Sequence, residues 1–202
     1  MYRLLLFLLL LPCLSLNAQI NYDEEFMNGS TLMLQEEMAL VYEVDYYGTN
    51  YDFIVTILSF EDGIKFSYEM TNESKTNGTI SISEDAFQNS LIQYNYFSGG
   101  DVKLESQTSV WVSQMIFQQL MNTGECRLSF NGEDYISLKN AIAKHDYEID
   151  IKSSDEVLDD ISYVYAESED SQYKYWIHLS MYQPIVLRMD LGWKIWLKEI
   201  RL

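Results

Sequence analysis

The chain has 202 residues, of which 31 are Asp or Glu and 13 are Lys or Arg, so its formal net charge is −18. Proteins bind phosphate backbones through clustered Lys and Arg side chains, and this sequence has no such cluster, which argues against nucleic acid as a partner. The same acidity disfavours anionic membrane surfaces and indicates a soluble protein with cationic partners.

Residues 1–18 predict a signal peptide. Arg3 supplies the positive start, residues 4–11 form an unbroken apolar run, and Ala18 offers a small residue for cleavage. The run is shorter than the roughly 20 residues that span a bilayer. Cleavage removes one charged residue, Arg3, which changes the net charge from −18 to −19. Residues 19–202 are then predicted to form one domain without a transmembrane segment, in the periplasm, the cell envelope or the exterior.

The two cysteines and two histidines carry no recognisable motif. Lipidation at Cys13 is an alternative to simple cleavage, but Pro12 stands where a lipidation signal needs a small residue. Once the leader is removed, Cys126 has no cysteine to pair with, so we expect a buried thiol. A nucleophilic cysteine would need a base, and no motif places His145 or His178 beside it.

The first part of the mature sequence predicts a short helix followed by a meander of strands. The helix is expected from Ser30 to Met38. Alternating apolar residues then predict a strand over 40–47, a turn at 48–50, and a central strand over 51–60. Turns at 61–63 and 71–78 separate two further strands, which end near residue 83.

Two helices are expected within this strand pattern. Ser83 is placed to cap a helical turn. Ser113 is placed to cap a longer helix, whose apolar residues Ile116, Phe117, Leu120 and Met121 share one face and which Gly124 ends. Val110 and Val112, just before it, are predicted to be extended.

The remainder is predicted to be mostly strands. Residues 135–144 are ambiguous, 147–154 alternate, and 161–181 form a hairpin around Glu169–Gln172. Residues 184–202 fit either a hairpin that turns at Asp190–Gly192 or an amphipathic helix, and the β-patterned sequence before them favours the hairpin. The predicted fold is mainly β, an antiparallel curved sheet or half-barrel with one or two short helices against its concave side.

No catalytic, cofactor-binding or metal-ligating residue is assigned. Paired carboxylates could serve a glycoside hydrolase, yet with 31 acids such pairs arise by chance and are interpreted as solvated. The acidic segment 153–160 lacks the glycine and spaced oxygens of a calcium loop. The pairs considered are Glu43 with Asp45, Asp159 with Asp160, and Glu167 with Glu169. The sequence also contains three glycosylation sequons, at Asn28, Asn72 and Asn77.

The four tryptophans, Trp111, Trp176, Trp193 and Trp196, all fall in predicted strands or strand ends. Exposed on a concave face, they could stack on sugars or line an apolar cavity, but packing in the core is the favoured interpretation for so aromatic a domain.

The order of a meander, an inward helix, further strands and the terminal hairpin PIVLRMDLGWKIWLKEI resembles uncharacterised exported β-rich proteins of Bacteroidota-type bacteria. It is also distantly similar to the half-barrel lipoprotein carriers of the LolA/LolB type. The resemblance implies an exported, non-enzymatic protein that binds an apolar or lipid-like ligand, without a cofactor. Two alternatives stay open, a structural or protein-interaction module of the envelope and a secreted hydrolase with paired carboxylates.

Overall fold

The computed structural model describes residues 32–141, 151–153, 156–158 and 161–202. These residues form a mainly β protein with one open curved sheet and two helices, as the sequence predicts. The elements are β1 Ala39–Tyr46, β2 Thr49–Ser59, β3 Gly63–Met70, β4 Asn77–Ser83, α1 Glu84–Asn89, β5 Ile92–Gln93, β6 Gly100–Leu104, α2 Gln114–Thr123, β7 Glu125–Phe130, β8 Tyr135–Asn140, β9 Ile151–Ser153, β10 Glu156–Leu158, β11 Tyr163–Ser168, β12 Lys174–His178, β13 Val186–Asp190 and β14 Lys194–Arg201.

The strands follow the order β5-β7-β8-β11-β12-β13-β14-β1-β2-β3-β4-β6, and β9 pairs with β10 and β14. Neighbours are antiparallel except at β4–β6, β5–β7 and β9–β14. The predicted meander is confirmed as β1–β4, and the predicted hairpins are confirmed as β11–β12 and β13–β14. The last strand, β14, also pairs with the first strand, β1.

Alternation along the strands separates a buried inner face from a polar outer face. On β2, Phe53, Val55 and Ile57 are buried, and Ile57 lies opposite Phe66 of β3. The outward residues between them are polar at several positions, such as Thr56, which faces Ser67 on β3. Each buried aliphatic or aromatic side chain contributes about 1.5–3 kcal/mol, so this period-two pattern holds the sheet to its core.

Both helices begin as their sequences predict, and α2 also ends as predicted. The Oγ of Ser83 accepts a hydrogen bond from the Ala86 N–H at 3.2 Å, and the Oγ of Ser113 accepts one from the Ile116 N–H at 3.1 Å. Gly124 ends α2 at a φ of 73°, which a residue without Cβ adopts easily. The apolar face of α2 packs against β7 and β8, so the helix covers the inner face of the sheet.

The segment before α2 crosses the interior. Trp111 is 0% exposed, its ring lies 5.5 Å from that of Phe66, and it bridges to Ile185. Val110 has a φ of 65°, so the prediction that it is extended was wrong. The Val110 carbonyl accepts from the Val186 N–H at 2.8 Å. This long-range hydrogen bond and the burial of the neighbouring indole offset the strain of a β-branched residue with positive φ.

The predicted helix over 30–38 was also wrong for its described part. Residues 32–38 form no helix, and Glu37 has a φ of 71°. The Glu37 N–H donates to the Ile57 carbonyl at 2.8 Å, and the Ile57 N–H donates to the Met38 carbonyl at 2.9 Å. Pairing along β2 thus satisfies backbone groups that a helix would have to satisfy internally.

Several predictions lie outside the described residues: the leader 1–18 with Cys13, Ser30, Asn28, His145, Asp159 and Asp160. Residues 154 and 155 of the acidic segment lie outside them too. Within the described ranges, no helix combines the length and apolarity needed to cross a membrane.

Antiparallel pairing places one set of turns at a common end of the sheet, here called the turn end. It comprises the connections at 47–48, 71–76, 94–99, 131–134, 169–173 and 191–193. Helix α1 and the connection at 179–185 lie at the opposite end. The turn end is therefore the part of the molecule that α1 leaves uncovered.

Candidate interaction surface

The turn between β1 and β2 exposes a tyrosine on a left-handed backbone. Tyr47 and Gly48 have φ values of 51° and 86°, as the two central residues of a type I′ turn require. The Gly48 N–H donates to Oδ1 of Asp45 at 2.9 Å, which fixes the turn. Asn or Asp usually occupies this turn position, because these residues tolerate a left-handed backbone. Tyr47 instead places a bulky ring there, in a conformation that bulky residues rarely adopt.

Three aromatic residues meet at this point and are called the aromatic tip: Tyr46, Tyr47 and Trp193. The ring centroids of Tyr46 and Tyr47 are 4.8 Å apart and arranged edge to face, and that of Trp193 lies 6.2 Å from Tyr46. Tyr46 is 50% exposed and Tyr47 is 74% exposed. Trp193 also packs against the core. The tip is thus a solvent-facing group of rings on a rigid base.

Burial raises the pKa of a tyrosine beside the tip. Tyr51 pairs with Val44 across the same hairpin. Its partial burial raises its pKa above the ordinary value, and the charge of Tyr46 raises that pKa further. The Tyr51 hydroxyl therefore stays protonated at neutral pH and can donate a hydrogen bond.

Other connections at the turn end also carry aromatic rings. The ring centroid of Phe97 lies 4.5 Å from that of Phe53 and 5.1 Å from that of Tyr68, so Phe97 anchors the 94–99 connection on the inner face. Tyr96 beside it is largely exposed. Tyr173, in the connection between β11 and β12, stacks on Phe130 at 5.9 Å.

The turn end is acidic as well as aromatic. Its turns carry five acidic residues and one basic residue, which are Glu73, Glu133, Asp134, Glu169, Asp170 and Lys75. Hydrogen bonds from Ser168 and from the Gln172 N–H lower the pKa of Asp170, so that carboxylate stays charged. At the tip, Lys194 lies opposite both Asp45 and Asp190, and Asp190 also lies opposite Lys174, so acidic and basic residues alternate along that row.

Two depressions lie near the turn end. One, of about 450 Å³, crosses the outer face of β2, β3, β4 and β6 and is lined by hydroxyls and two carboxylates. These groups belong to Thr56, Ser67, Thr79, Glu69 and Asp101. The other, of about 460 Å³, lies beside Ile136 and Tyr173. Both are open surface features of the described part of the chain.

The tryptophans divide into a buried and an exposed pair. Trp111 and Trp176 are buried, the latter under the guanidinium of Arg188 at 4.8 Å from its ring. This agrees with the favoured interpretation of core packing. Trp193 and Trp196 are partly exposed. Trp193 is the one of the four that joins the aromatic tip.

Within the described ranges, the carboxylates of the pairs considered from the sequence make contacts with nearby side chains and turns. Glu43 lies 3.8 Å from the Lys198 Nζ, which is 2.7 Å from Asp52. Asp45 holds the β1–β2 turn, and Glu167 accepts a hydrogen bond from the Tyr165 hydroxyl at 2.7 Å. Glu169 lies beside the depression at Tyr173. No group of three or more His, Cys, Asp or Glu side chains that could hold a metal ion occurs among the described residues.

Cys126 and His178 are buried side chains. Burial raises the pKa of the Cys126 thiol to about 12. Burial also lowers the pKa of His178, whose Nδ1 lies 3.5 Å from the Gln183 carbonyl oxygen. The sequon asparagine Asn77 is exposed, and Asn72 accepts a hydrogen bond from the Ser74 hydroxyl.

Sequence reasoning missed the aromatic tip. The alternation of Tyr42, Val44 and Tyr46 predicted that Tyr46 faces inward, but at the strand end it lies beyond the core. The available signal was Tyr47, a bulky residue directly before Gly48 in a tight turn. Comparisons of this chain with protein-family models, with curated proteins and with solved structures give no match.

Proposed function

We propose that the protein is exported and acts as a non-enzymatic interaction module that binds another protein through the aromatic tip. The observation that carries this proposal is the contact of three aromatic rings on two tight turns, with Tyr46 and Tyr47 at least half exposed. Tyr and Trp are enriched where one protein binds another, because they offer a large apolar area and lose little conformational entropy.

The backbone supports the same proposal. Strained conformations of bulky residues occur preferentially at functional sites, where the surrounding structure holds them in place. Tyr47 has such a conformation, although its exposed side chain makes no contribution to a core. A role in binding accounts for the presence of a ring at this position.

Site-specific crosslinking in the producing cell tests the proposal. A photoreactive phenylalanine analogue replaces Tyr47 in one variant and Tyr182 in the control. Tyr182 is 81% exposed and lies at the opposite end of the sheet. We expect one discrete crosslinked species from position 47 and none from position 182. Equal patterns from both positions, or no adduct at position 47, would refute the proposal.

Binding of a small apolar or lipid-like ligand is a second candidate. The depression beside Ile136 and Tyr173 is the feature behind it, an open hollow of about 460 Å³ in the size range of small-molecule sites. Its other lining residues are polar, namely Ser137, Ser168, Glu169 and Asp170. Native mass spectrometry and solvent extraction of the purified protein test this candidate. A co-purifying ligand that Tyr173→Ala abolishes would support it, whereas a ligand-free protein would count against it.

A further inference from the structure

We infer that the partner segment which contacts the aromatic tip is basic, and that it places an arginine or lysine side chain over the rings of the tip. This inference rests on the interaction function proposed above and adds the chemistry of the partner. It follows from the charge around the rings, from the rings themselves and from two contacts of the same kind within the protein.

The charge of the surroundings favours a cation. The chain carries a formal net charge of −18, and the turns of the turn end add carboxylates on both sides of the tip. Asp45 and Asp190 lie opposite Lys194 and Lys174, so the charges of the tip row balance. The excess negative charge beside the tip therefore comes from the turn at 169–173, which carries Glu169 and Asp170 and no basic residue. An acidic partner would be repelled, and a basic one would be drawn towards the turn end.

The rings can accept a cation directly. The face of an aromatic ring is electronegative, and a guanidinium within about 6 Å of its centroid is attracted to it. The edge-to-face arrangement of Tyr46 and Tyr47, at an interplanar angle of 73°, leaves the two rings facing different directions. A basic side chain can therefore approach the face of one of the rings. The carboxylate of Asp45 lies at the same end of β1 as Tyr46.

The protein already contains two such pairs. The guanidinium of Arg188 lies 4.8 Å from the Trp176 ring centroid, and that of Arg127 lies 5.3 Å from the centroid of Tyr135. Tyr135 is about half exposed and begins β8 at the turn end. Guanidinium groups thus pack on aromatic rings of this sheet, and a partner would repeat that contact at the tip.

Titration with short peptides tests the inference. The ¹⁵N-labelled protein is titrated with N-acetyl-(Gly-Arg)₃-amide and with the neutral peptide N-acetyl-(Gly-Ser)₃-amide. We expect the arginine peptide to shift the amide signals of residues 45–48 and the indole signal of Trp193, and to bind more weakly as NaCl rises from 50 to 200 mM. The neutral peptide is expected to leave these signals unchanged.

Three variants locate the binding. Tyr47→Ala is expected to raise the dissociation constant of the arginine peptide about two- to five-fold, the usual size of an exposed cation–π contact. Glu73→Gln combined with Glu169→Gln, both at exposed positions in turns nearer the tip, is expected to reduce the salt dependence while the fold is kept. Tyr182→Ala is the matched control and is expected to have no effect.

Other outcomes overturn the inference. Equal binding of the neutral peptide, or an affinity unaffected by Tyr47→Ala, would show that the tip does not select a cation. If maltohexaose shifts the tip signals and the arginine peptide does not, the surface binds carbohydrate instead. A crosslink retained at position 47 while the arginine peptide fails to bind would refute the basic partner and leave the interaction function standing.

Discussion

Replacing Trp111 separates the packing of its ring from the cost of its buried N–H. The side chain is fully buried against the Phe66 ring of β3, and its Nε1 has no hydrogen-bond partner in the described part of the chain. Burying a tryptophan removes about 150–250 Å² from water. At about 25 cal/mol per Å², this stabilises the fold by about 4–6 kcal/mol. Trp111→Ala is therefore expected to lower the free energy of unfolding by about 4 kcal/mol.

Trp111→Phe keeps most of that area and removes the N–H. The lost area, on the order of 40 Å², costs about 1 kcal/mol. Removing a buried donor without a partner returns about 1–3 kcal/mol. The free energy of unfolding of this variant is therefore expected to lie within about 2 kcal/mol of the wild-type value.

Urea denaturation followed by far-UV circular dichroism measures both variants, because tryptophan fluorescence changes with the substitution itself. Unchanged dependence of the free energy on urea concentration would confirm that the unfolding reaction is the same. If Trp111→Phe is as destabilising as Trp111→Ala, the indole N–H contributes a hydrogen bond and the reasoning fails.

Three further predictions concern other buried or crowded positions. Gly78→Ala would place a Cβ in overlap with the Gly100 carbonyl oxygen and is expected to lower the urea midpoint by more than Gly132→Ala, whose Cβ meets no atom within 4 Å and adds only the strain of a φ of 84°; equal midpoints would contradict this. Cys126, with its pKa raised to about 12, is expected to react with a thiol reagent at pH 8 after denaturation and not in the folded protein, and rapid native labelling would show an accessible thiolate. Because burial lowers the pKa of His178 below its ordinary value of 6.5, the unfolded state binds the proton more tightly, so stability falls as the pH drops below about 6.5. His178→Gln is expected to reduce that fall in denaturation curves between pH 7 and pH 5, and an unchanged slope would show that His178 does not cause it.

Local signals in the sequence predicted much of the architecture. The turn at residues 61–63 and the alternation around it predicted the β2–β3 hairpin, and Ser113 with Gly124 predicted the ends of α2. These features depend on neighbours in the chain, which the sequence displays directly. The hairpin over 184–202 was likewise correct, and the β-patterned sequence before it was the signal that favoured it over an amphipathic helix.

Contacts between distant segments account for the errors. The described start of the chain pairs with β2 rather than forming a helix. Val110 has a positive φ at a point where its carbonyl accepts a hydrogen bond from the Val186 N–H, far along the chain. The aromatic tip depends on two turns, near residues 47 and 192, that meet only because β14 pairs with β1. No local pattern contains that pairing, so the sequence could single out Tyr47 before Gly48 but could not predict that Trp193 lies beside Tyr46.

The pairing of β14 with β1 also has a kinetic consequence. Lys198 and Asp52, joined across this part of the sheet, are 146 positions apart in the chain. Proteins rich in such distant pairings fold slowly, since a long loop must close before its contacts form. During synthesis, β1 must remain without this neighbour until almost the whole chain has emerged. A chain truncated before residue 194 would lack the strand that joins β13 to β1, and would expose two unpaired edges where the intact protein has a continuous sheet.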